Sequence, residues 1–546
     1  MPTIARLIGG AGTGKTAELM RLLALQLEQG VDPYQVGFVS FTKAARREAA
    51  ERAAEVSGEQ AASLEQNGWF RTLHSVCFQC LGEKRDAMVT GDRKSVRWIE
   101  EQLEAEVGKA PSNSLDEEND FGASTDAGLA LQLWSTARNR LEPLMAAWER
   151  ADRCSNRTPP YEAVADIVTR YEQAKRLDFV SDFTDLLGRF AGYKFNVNGH
   201  DRTKPAGDVP QLPVWFFDEQ QDTSALLDTV CHRLIESSDW VYVVGDPFQA
   251  IYGWAGADPK LFLAWPAAKE RIMPQSFRCP LAIHNLGESI LREASDFWDR
   301  GIKSSDHEGS VEHERFTSYL LDQIDPSQNW LLLARTNWLA NKLTRRLKEL
   351  GVPWCPTRGH GGWNRPAKNK ALNALYDLQR GAPIMGDEWQ AILKLVPSKD
   401  DAGPLLERGT KADWDAHWQS RKQQGFYLPD LSQAGALPRL IEAIATGTWV
   451  ALVAHGEEYT RARGRWGIDA VHRPSVRVGT IHSAKGAEAD NVLWLTTTTS
   501  AVSKSCEDPQ GFDEECRVSY VAATRARKRL IVASEPNQRH RWKVSA

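Results

Sequence analysis

An α/β fold with parallel sheets, interrupted by two mainly helical insertions, is what this 546-residue sequence predicts. Three observations point there. Over residues 3 to 56, short apolar stretches alternate with helical patterns, the grammar of a parallel sheet covered by helices. The same grammar returns at "PVWFFDE", "WVYVVGD", "NWLLLARTN" and "VRVGTIH". The length also exceeds what one hydrophobic core supports, since domains run to roughly 100 to 200 residues.

Taken in order, "TIARLI" reads as the first strand, "KTAELMRLLALQLEQG" as a helix by its apolar period, "VGFVSF" as the next strand and "TKAARREAAERAAE" as the helix after it. Residues 83–210 change character. "LALQLWSTARNRLEPLMAAWERA" and "YEAVADIVTRYEQAK" have helical spacing, and "LDEENDFGASTD" reads as an exposed acidic loop. From 356 to 473 the strand signal fades among Trp, Gly and short amphipathic segments. The expected organisation is therefore a first core of residues 1–82 and 211–275 holding the insertion 83–210. A second core of 276–355 and 474–546 holds the reduced insertion 356–473.

Composition narrows the class. Hydrophobic residues make up 42% and charged residues 25%, the balance of a soluble globular chain. No apolar run is long enough to cross a bilayer, and "MPTIARLIGG" lacks the features of a signal peptide, so no membrane partner and a cytoplasmic location are expected. Eight cysteines are too sparse for a disulfide framework. Cys77 and Cys80 have metal-ligand spacing, but no second pair follows, and a buried helix face is the competing reading. With a net charge of −5, any nucleic-acid surface must be a local basic patch.

The chemistry begins with "GGAGTGKT", residues Gly9, Gly10, Ala11, Gly12, Thr13, Gly14, Lys15 and Thr16, between a strand and a helix. Glycines let the backbone aim N–H groups at phosphate oxygens, Lys15 suits the outer phosphates, and the Thr16 hydroxyl suits a magnesium ion. Such an octet arises by chance in about one chain of this length in fifty. "PVWFFDEQQD" then ends an apolar strand in Asp218 and Glu219. Asp218 suits the metal through its bound water, and Glu219 suits the general base on an attacking water. An ordinary helix cap is the alternative use of such a pair.

The ordered set "GGAGTGKT", "VSFTKAARREAAERA", "RTLHSVCFQCL", "FFDEQQDTS", "VVGDPFQAIYGWAGA", "PQSFRCP", "LLARTNWLANKLTRRLKELGVP", "VGTIHSAKGAEADNVLW" and "EECRVSYVAATRARKRLIV" resembles superfamily 1 DNA helicases of the UvrD/Rep/PcrA kind. The resemblance spans both cores, is weak over the insertions, and implies two RecA-like motor domains binding ATP with Mg2+ in a cleft. Gln249 looks like the sensor of the terminal phosphate, an amide that both donates and accepts. Arg278 and Arg525 resemble arginine fingers, Phe277 the ring stacked on adenine, and Glu488 the carboxylate near the ribose.

By the same resemblance Phe41, Thr42, Lys43, His74, Tyr252 and Trp254 fall in motifs lining a groove for single-stranded DNA, where flat rings grip bases. Each aromatic has a core-packing reading beside that one. Lys485 has two as well, a phosphate contact or a solvated helix end. The implied partners are single-stranded DNA and duplex/single-strand junctions, with a protein partner left unidentified. The implied activity is unwinding coupled to 3′ to 5′ movement; the alternatives are a translocase or protein-displacing ATPase without unwinding, and a nucleotide-gated DNA-binding scaffold.

Three departures bear on these expectations. The family's segment before the phosphate loop, with its adenine-reading glutamine, is missing, which leaves base selectivity open. Ala255 stands where an arginine is common. The second insertion is shorter than the usual accessory domain, and no nuclease module is expected after the motor.

Overall fold

The computed structural model describes residues 2–40, 43–108, 125–154, 158–358, 361–363, 365–535, 540 and 542. They form two compact units, residues 1–311 with 498–530 and 538–546, and residues 312–497 with 531–537.

The first unit is organised by a six-stranded sheet. From edge to edge its strands are Trp69–Arg71, Val36–Val39, Val214–Phe217, Trp240–Gly245, Thr3–Ile8 and Lys269–Ile272, each parallel to its neighbours. Alternate side chains feed two cores, as strand geometry requires. Trp215, Phe217, Val241 and Val243 pack on one face with Val76, Phe190 and Leu226. Val214, Phe216, Tyr242 and Val244 pack on the other with Leu19, Leu23, Ala49 and Ala53. Burial on both faces explains why these strands read as unbroken apolar runs. Ile8, Phe217 and Gly245 end neighbouring strands, so the loops that follow them emerge along one edge of the sheet. In open α/β sheets that carboxyl edge is where ligands bind.

The segment "LALQLWSTARNRLEPLMAAWERA" forms two helices, Asp126–Arg140 and Leu144–Cys154. The break follows from Leu141, whose left-handed φ of 57° caps the first helix, and from Pro143 behind it. The third helix, Tyr161–Leu177, matches its predicted segment closely. With helix Arg93–Leu103 these helices share an apolar core of Ile99, Leu131, Trp134, Leu144, Val164 and Val168. Between residues 83 and 210 there is also a short antiparallel hairpin, Tyr193–Asn196 with Gly199–Arg202, beside the helices. The two residues of its turn are Val197 and Asn198, and Gly199, at φ 133°, opens the returning strand opposite Asn196. Most of the acidic segment read as an exposed loop lies outside the described residues.

Three helices of this region are tied by a buried charge cluster. Arg138 donates to both oxygens of Asp182, at 3.0 and 2.8 Å, and to Asp185 at 3.0 Å. Lys175 reaches Asp182 at 2.9 Å, Asp185 at 2.6 Å and Glu172 at 2.8 Å. Burial opposes the charges of Arg138, Lys175, Asp182 and Asp185, but the two cations hold the Asp182 carboxyl well below the usual range.

In the second unit, strand Trp330–Ala334 lies between Ala489–Leu495 and Val476–Thr480 and is parallel to both; Cys355–Pro356 follows Val476–Thr480, and strand Ala526–Ser534 lies beyond Ala489–Leu495. Leu332, Leu339, Leu343, Val478 and Leu493 share its core. A separate core of Leu375, Trp389, Ile392, Trp449 and Tyr459 joins the short helices between residues 366 and 472. Parallel-sheet α/β is thus the observed class. No helix among the described residues is long and apolar enough to cross a membrane.

Candidate active site

The glycine-rich octet leaves strand Thr3–Ile8 and enters helix Lys15–Glu28. Gly12 and Gly14 have φ of 71° and 79°, the left-handed region that glycine enters without a Cβ penalty. Gly12 also has a packing reason, because a Cβ there would stand 2.2 Å from the Arg278 Cβ. Lys15 is buried, and its Nζ donates to the Gly9 and Gly10 carbonyls at 2.9 and 3.1 Å. Burial lowers its pKa below the usual lysine range, against the pull of Asp246 and Glu219. Thr16 occupies the first turn of the same helix.

Strand Val214–Phe217 delivers Asp218 and Glu219 from the neighbouring part of the sheet. The Asp218 N–H donates to the Val39 carbonyl at 2.9 Å, and its carboxylate accepts from the Glu219 N–H at 3.0 Å. Burial first, then the Glu219 charge, pushes the Asp218 carboxyl up to about 7, while Lys15 pulls it down. A divalent cation suits such a group, since it supplies the positive charge that a buried carboxylate beside a second one needs. Glu219 has a left-handed φ of 56° without being glycine. Conformations of that kind cost of order 1–3 kcal/mol and gather at functional sites.

Two residues with no assigned role organise the rest. Gln221, fully buried, donates to the Glu219 carboxylate at 2.5 Å and accepts from the Asp246 N–H at 3.0 Å. Asp246 accepts from Gln249 Nε2 at 2.7 Å. Gln249 in turn accepts from Arg525 Nη2 at 3.3 Å. One line of hydrogen bonds therefore joins Glu219 to Gln249 and Arg525. Burial, then the nearby Arg278, lowers the Arg525 guanidinium to about 10.

Strand Gln275–Pro280 closes the other side. The Phe277 N–H donates to the Gly12 carbonyl at 2.8 Å, and Ser276 Oγ donates to the Ala11 carbonyl at 2.8 Å. Phe277 is 69% exposed beside the loop. Arg278 and Arg525 thus both come to the pocket around Lys15, although they are 263 and 510 positions away from it in the chain.

The residues expected to face a polymer are more dispersed. Phe41 and Thr42 lie outside the described residues, and Lys43 begins helix Lys43–Ser57. His74, in helix Leu73–Leu81, meets Phe183 edge-on at 5.7 Å, and burial pushes its imidazole down to about 4, leaving it neutral at pH 7. Tyr252 is buried, whereas Trp254 is partly exposed with its ring 6.2 Å away. Thr136 Oγ1 donates to the Trp254 carbonyl at 3.1 Å, and Arg140 donates to Gly253. Lys485 and Glu488 belong to the second unit; Lys485 is buried, and the Glu488 carbonyl accepts from Arg477. Cys77 is in the core of the first unit and Cys80 is partly buried beside it, which is the helix-face reading of that pair.

Residues 3–268 match the model of the UvrD/REP helicase N-terminal domain, and residues 467–536 match that of the UvrD-like helicase C-terminal domain. Among individual relatives, the chain is 28% identical over 391 residues to the ATP-dependent DNA helicase PcrA of Staphylococcus aureus, and 25% identical over 391 residues to that of Staphylococcus epidermidis. Each match covers 68% of this chain and 51% of the relative, so the chain spans about half the length of the curated relatives it matches. With two helicase-domain matches in order, and the phosphate loop, acid pair and arginines gathered at one sheet edge, the chain belongs to the UvrD/Rep/PcrA-type superfamily 1 helicases.

Proposed function

We propose that this chain is an ATP-dependent motor that moves 3′ to 5′ along single-stranded DNA and couples hydrolysis to duplex unwinding. The observation that carries the reading is the hydrogen-bonded line from Glu219 through Gln221, Asp246 and Gln249 to Arg525, beside a phosphate loop that packs on Arg278. A site built only to bind nucleotide has no need for a base, a sensor and two guanidiniums on one pocket.

In this mechanism Lys15 exchanges its two carbonyl acceptors for outer phosphate oxygens, and the loop N–H groups complete the cradle. Thr16 and Asp218 would hold a Mg2+ ion, whose positive charge would offset that of the phosphates. Glu219, fixed by Gln221, accepts the proton of the attacking water at its carboxylate. Arg278 and Arg525 stabilise charge that develops on the transferred group. Gln249 trades its bond to Arg525 for one to phosphate, because an amide donates and accepts at the same tip. Phe277 stacks on the base and Glu488 serves the ribose.

The motor domains of this reading are residues 1–82 with 211–275 and residues 276–355 with 474–546; the insertions 83–210 and 356–473 act on the duplex. Single-stranded DNA runs past Phe41, Thr42, Lys43, His74, Tyr252, Trp254 and Lys485, in a cytoplasmic setting. The test is ATPase with and without single-stranded DNA, run beside strand displacement from duplexes tailed at either end. DNA-stimulated hydrolysis with displacement from the 3′-tailed substrate is expected. Displacement only from a 5′ tail would refute the polarity, and stimulated hydrolysis without displacement would leave a translocase.

A further inference from the structure

We propose that Arg300 is a positioning residue that ties the phosphate loop to the Gln249 sensor, an inference that rests on the ATPase reading above. Arg300 lies outside the sequence motifs, between helix Leu281–Leu291 and strand Lys303–Ser305. Its side chain is 1% exposed. Nη1 donates to Asp246 Oδ1 at 2.7 Å, and Nη2 donates to Glu288 Oε1 at 2.8 Å and to the Tyr520 hydroxyl at 3.4 Å. The guanidinium also lies 4.8 Å from the Phe248 ring centroid.

Two of these acceptors touch the nucleotide machinery directly. Asp246, fully buried, uses its second oxygen to hold Gln249 Nε2, which leaves the Gln249 carbonyl oxygen to accept from Arg525. Tyr520 accepts the N–H of Ala11 in the phosphate loop at 3.1 Å. The loop is also packed against Arg300 itself, since a Cβ on Gly10 would stand 2.8 Å from Ile302 Cδ1 and 3.4 Å from Arg300 Nη1. One planar cation therefore fixes both the residue that orients the sensor and the residue that holds the loop. A single-point ammonium lacks the fork for this. When Arg300 is removed, the Asp246 carboxylate keeps the Phe248 N–H and Gln249 Nε2 as donors but loses the cation that fixes it, so the anchor of the Gln249 amide is no longer held in place.

The test is a double-mutant cycle on steady-state ATPase with single-stranded DNA: wild type, Arg300→Met, Gln249→Ala and the double variant, each with its melting temperature. Arg300→Met is expected to lower DNA-stimulated kcat by about tenfold or more while KM for ATP stays within about threefold. In the Gln249→Ala background the same change is expected to lower kcat less than about twofold further, because residues that act through one another are not additive. Arg300→Lys is expected to restore part of kcat, and it carries the same cycle if the Met variant does not fold. Effects that multiply, or a KM rise with kcat intact, would overturn the proposal and leave Arg300 a structural ion pair. A wild-type chain without ATPase would overturn the motor reading and this inference together, whereas an active wild type with multiplying effects overturns this inference alone.

Discussion

Replacing Gly12 with Ala tests the geometry of the site with one methyl group. At φ 71° an alanine carries the left-handed penalty, about 1–2 kcal/mol. The new Cβ would also stand 2.2 Å from the Arg278 Cβ and 3.0 Å from the Arg278 backbone nitrogen. Ordinary contact begins near 3.4 Å, so strand Gln275–Pro280 must retreat by about 1.2 Å. That retreat stretches the 2.8 Å bond from the Phe277 N–H to the Gly12 carbonyl, a further loss of about 1 kcal/mol. It also moves the Arg278 guanidinium away from its target, and a displacement near 1 Å at a reacting centre costs on the order of 100-fold in rate. The assay is DNA-stimulated kcat with a thermal melt. Gly30→Ala is the control, because Gly30 has φ 95° with nothing within 4 Å of its would-be Cβ, so it carries strain without collision. Gly12→Ala is expected to lose about 100-fold in kcat and Gly30→Ala to lose stability only. A Gly12→Ala protein within about threefold of wild-type kcat would refute the packing argument.

Glu219→Gln keeps the shape and removes the base; nucleotide binding should persist while kcat falls by about 10²- to 10⁴-fold, measured by nucleotide affinity and steady-state turnover. Asp218 predicts a pH dependence in the absence of divalent cations. Its folded pKa, about 7, lies above the ordinary 3.8, so the folded state binds more protons. Stability from this group is therefore greatest below about pH 4 and is lost as pH rises to 7, a change of about 4 kcal/mol. Melting of wild type against Asp218→Asn across that window reads it, and parallel curves would contradict it. In the helical region, Arg138→Met leaves Asp182 and Asp185 with Lys175 as their remaining cation within the buried cluster. A loss of about 3–5 kcal/mol in denaturant unfolding is expected, and one under about 1 kcal/mol would show that the cluster is not structural.

Much of the site is legible because its chemistry is local. The octet from Gly9 to Thr16 carries its own turn geometry, and Asp218 with Glu219 are neighbours at a strand end. Burial of both sheet faces made the strands readable as apolar runs, whereas the short hairpin Tyr193–Asn196 with Gly199–Arg202 was not read among the mainly helical patterns around it. Arg300, Tyr520 and Gln221 were not legible as functional residues. Each is an ordinary residue in its own segment, and its meaning comes from partners 25 to 509 positions away. The same holds for Arg138, Lys175 and Asp182, which look like exposed helix charges until three helices bury them together.

By itself, then, the amino-acid order determined the period of each element, the phosphate loop and the acid pair, because covalent spacing and backbone preference act over a few residues. Only the tertiary structure decided which buried charges neutralise one another and which way the Gln249 amide faces. Those choices depend on desolvation and on hydrogen-bond partners brought from distant segments, and neither exists until the sheet has closed its core.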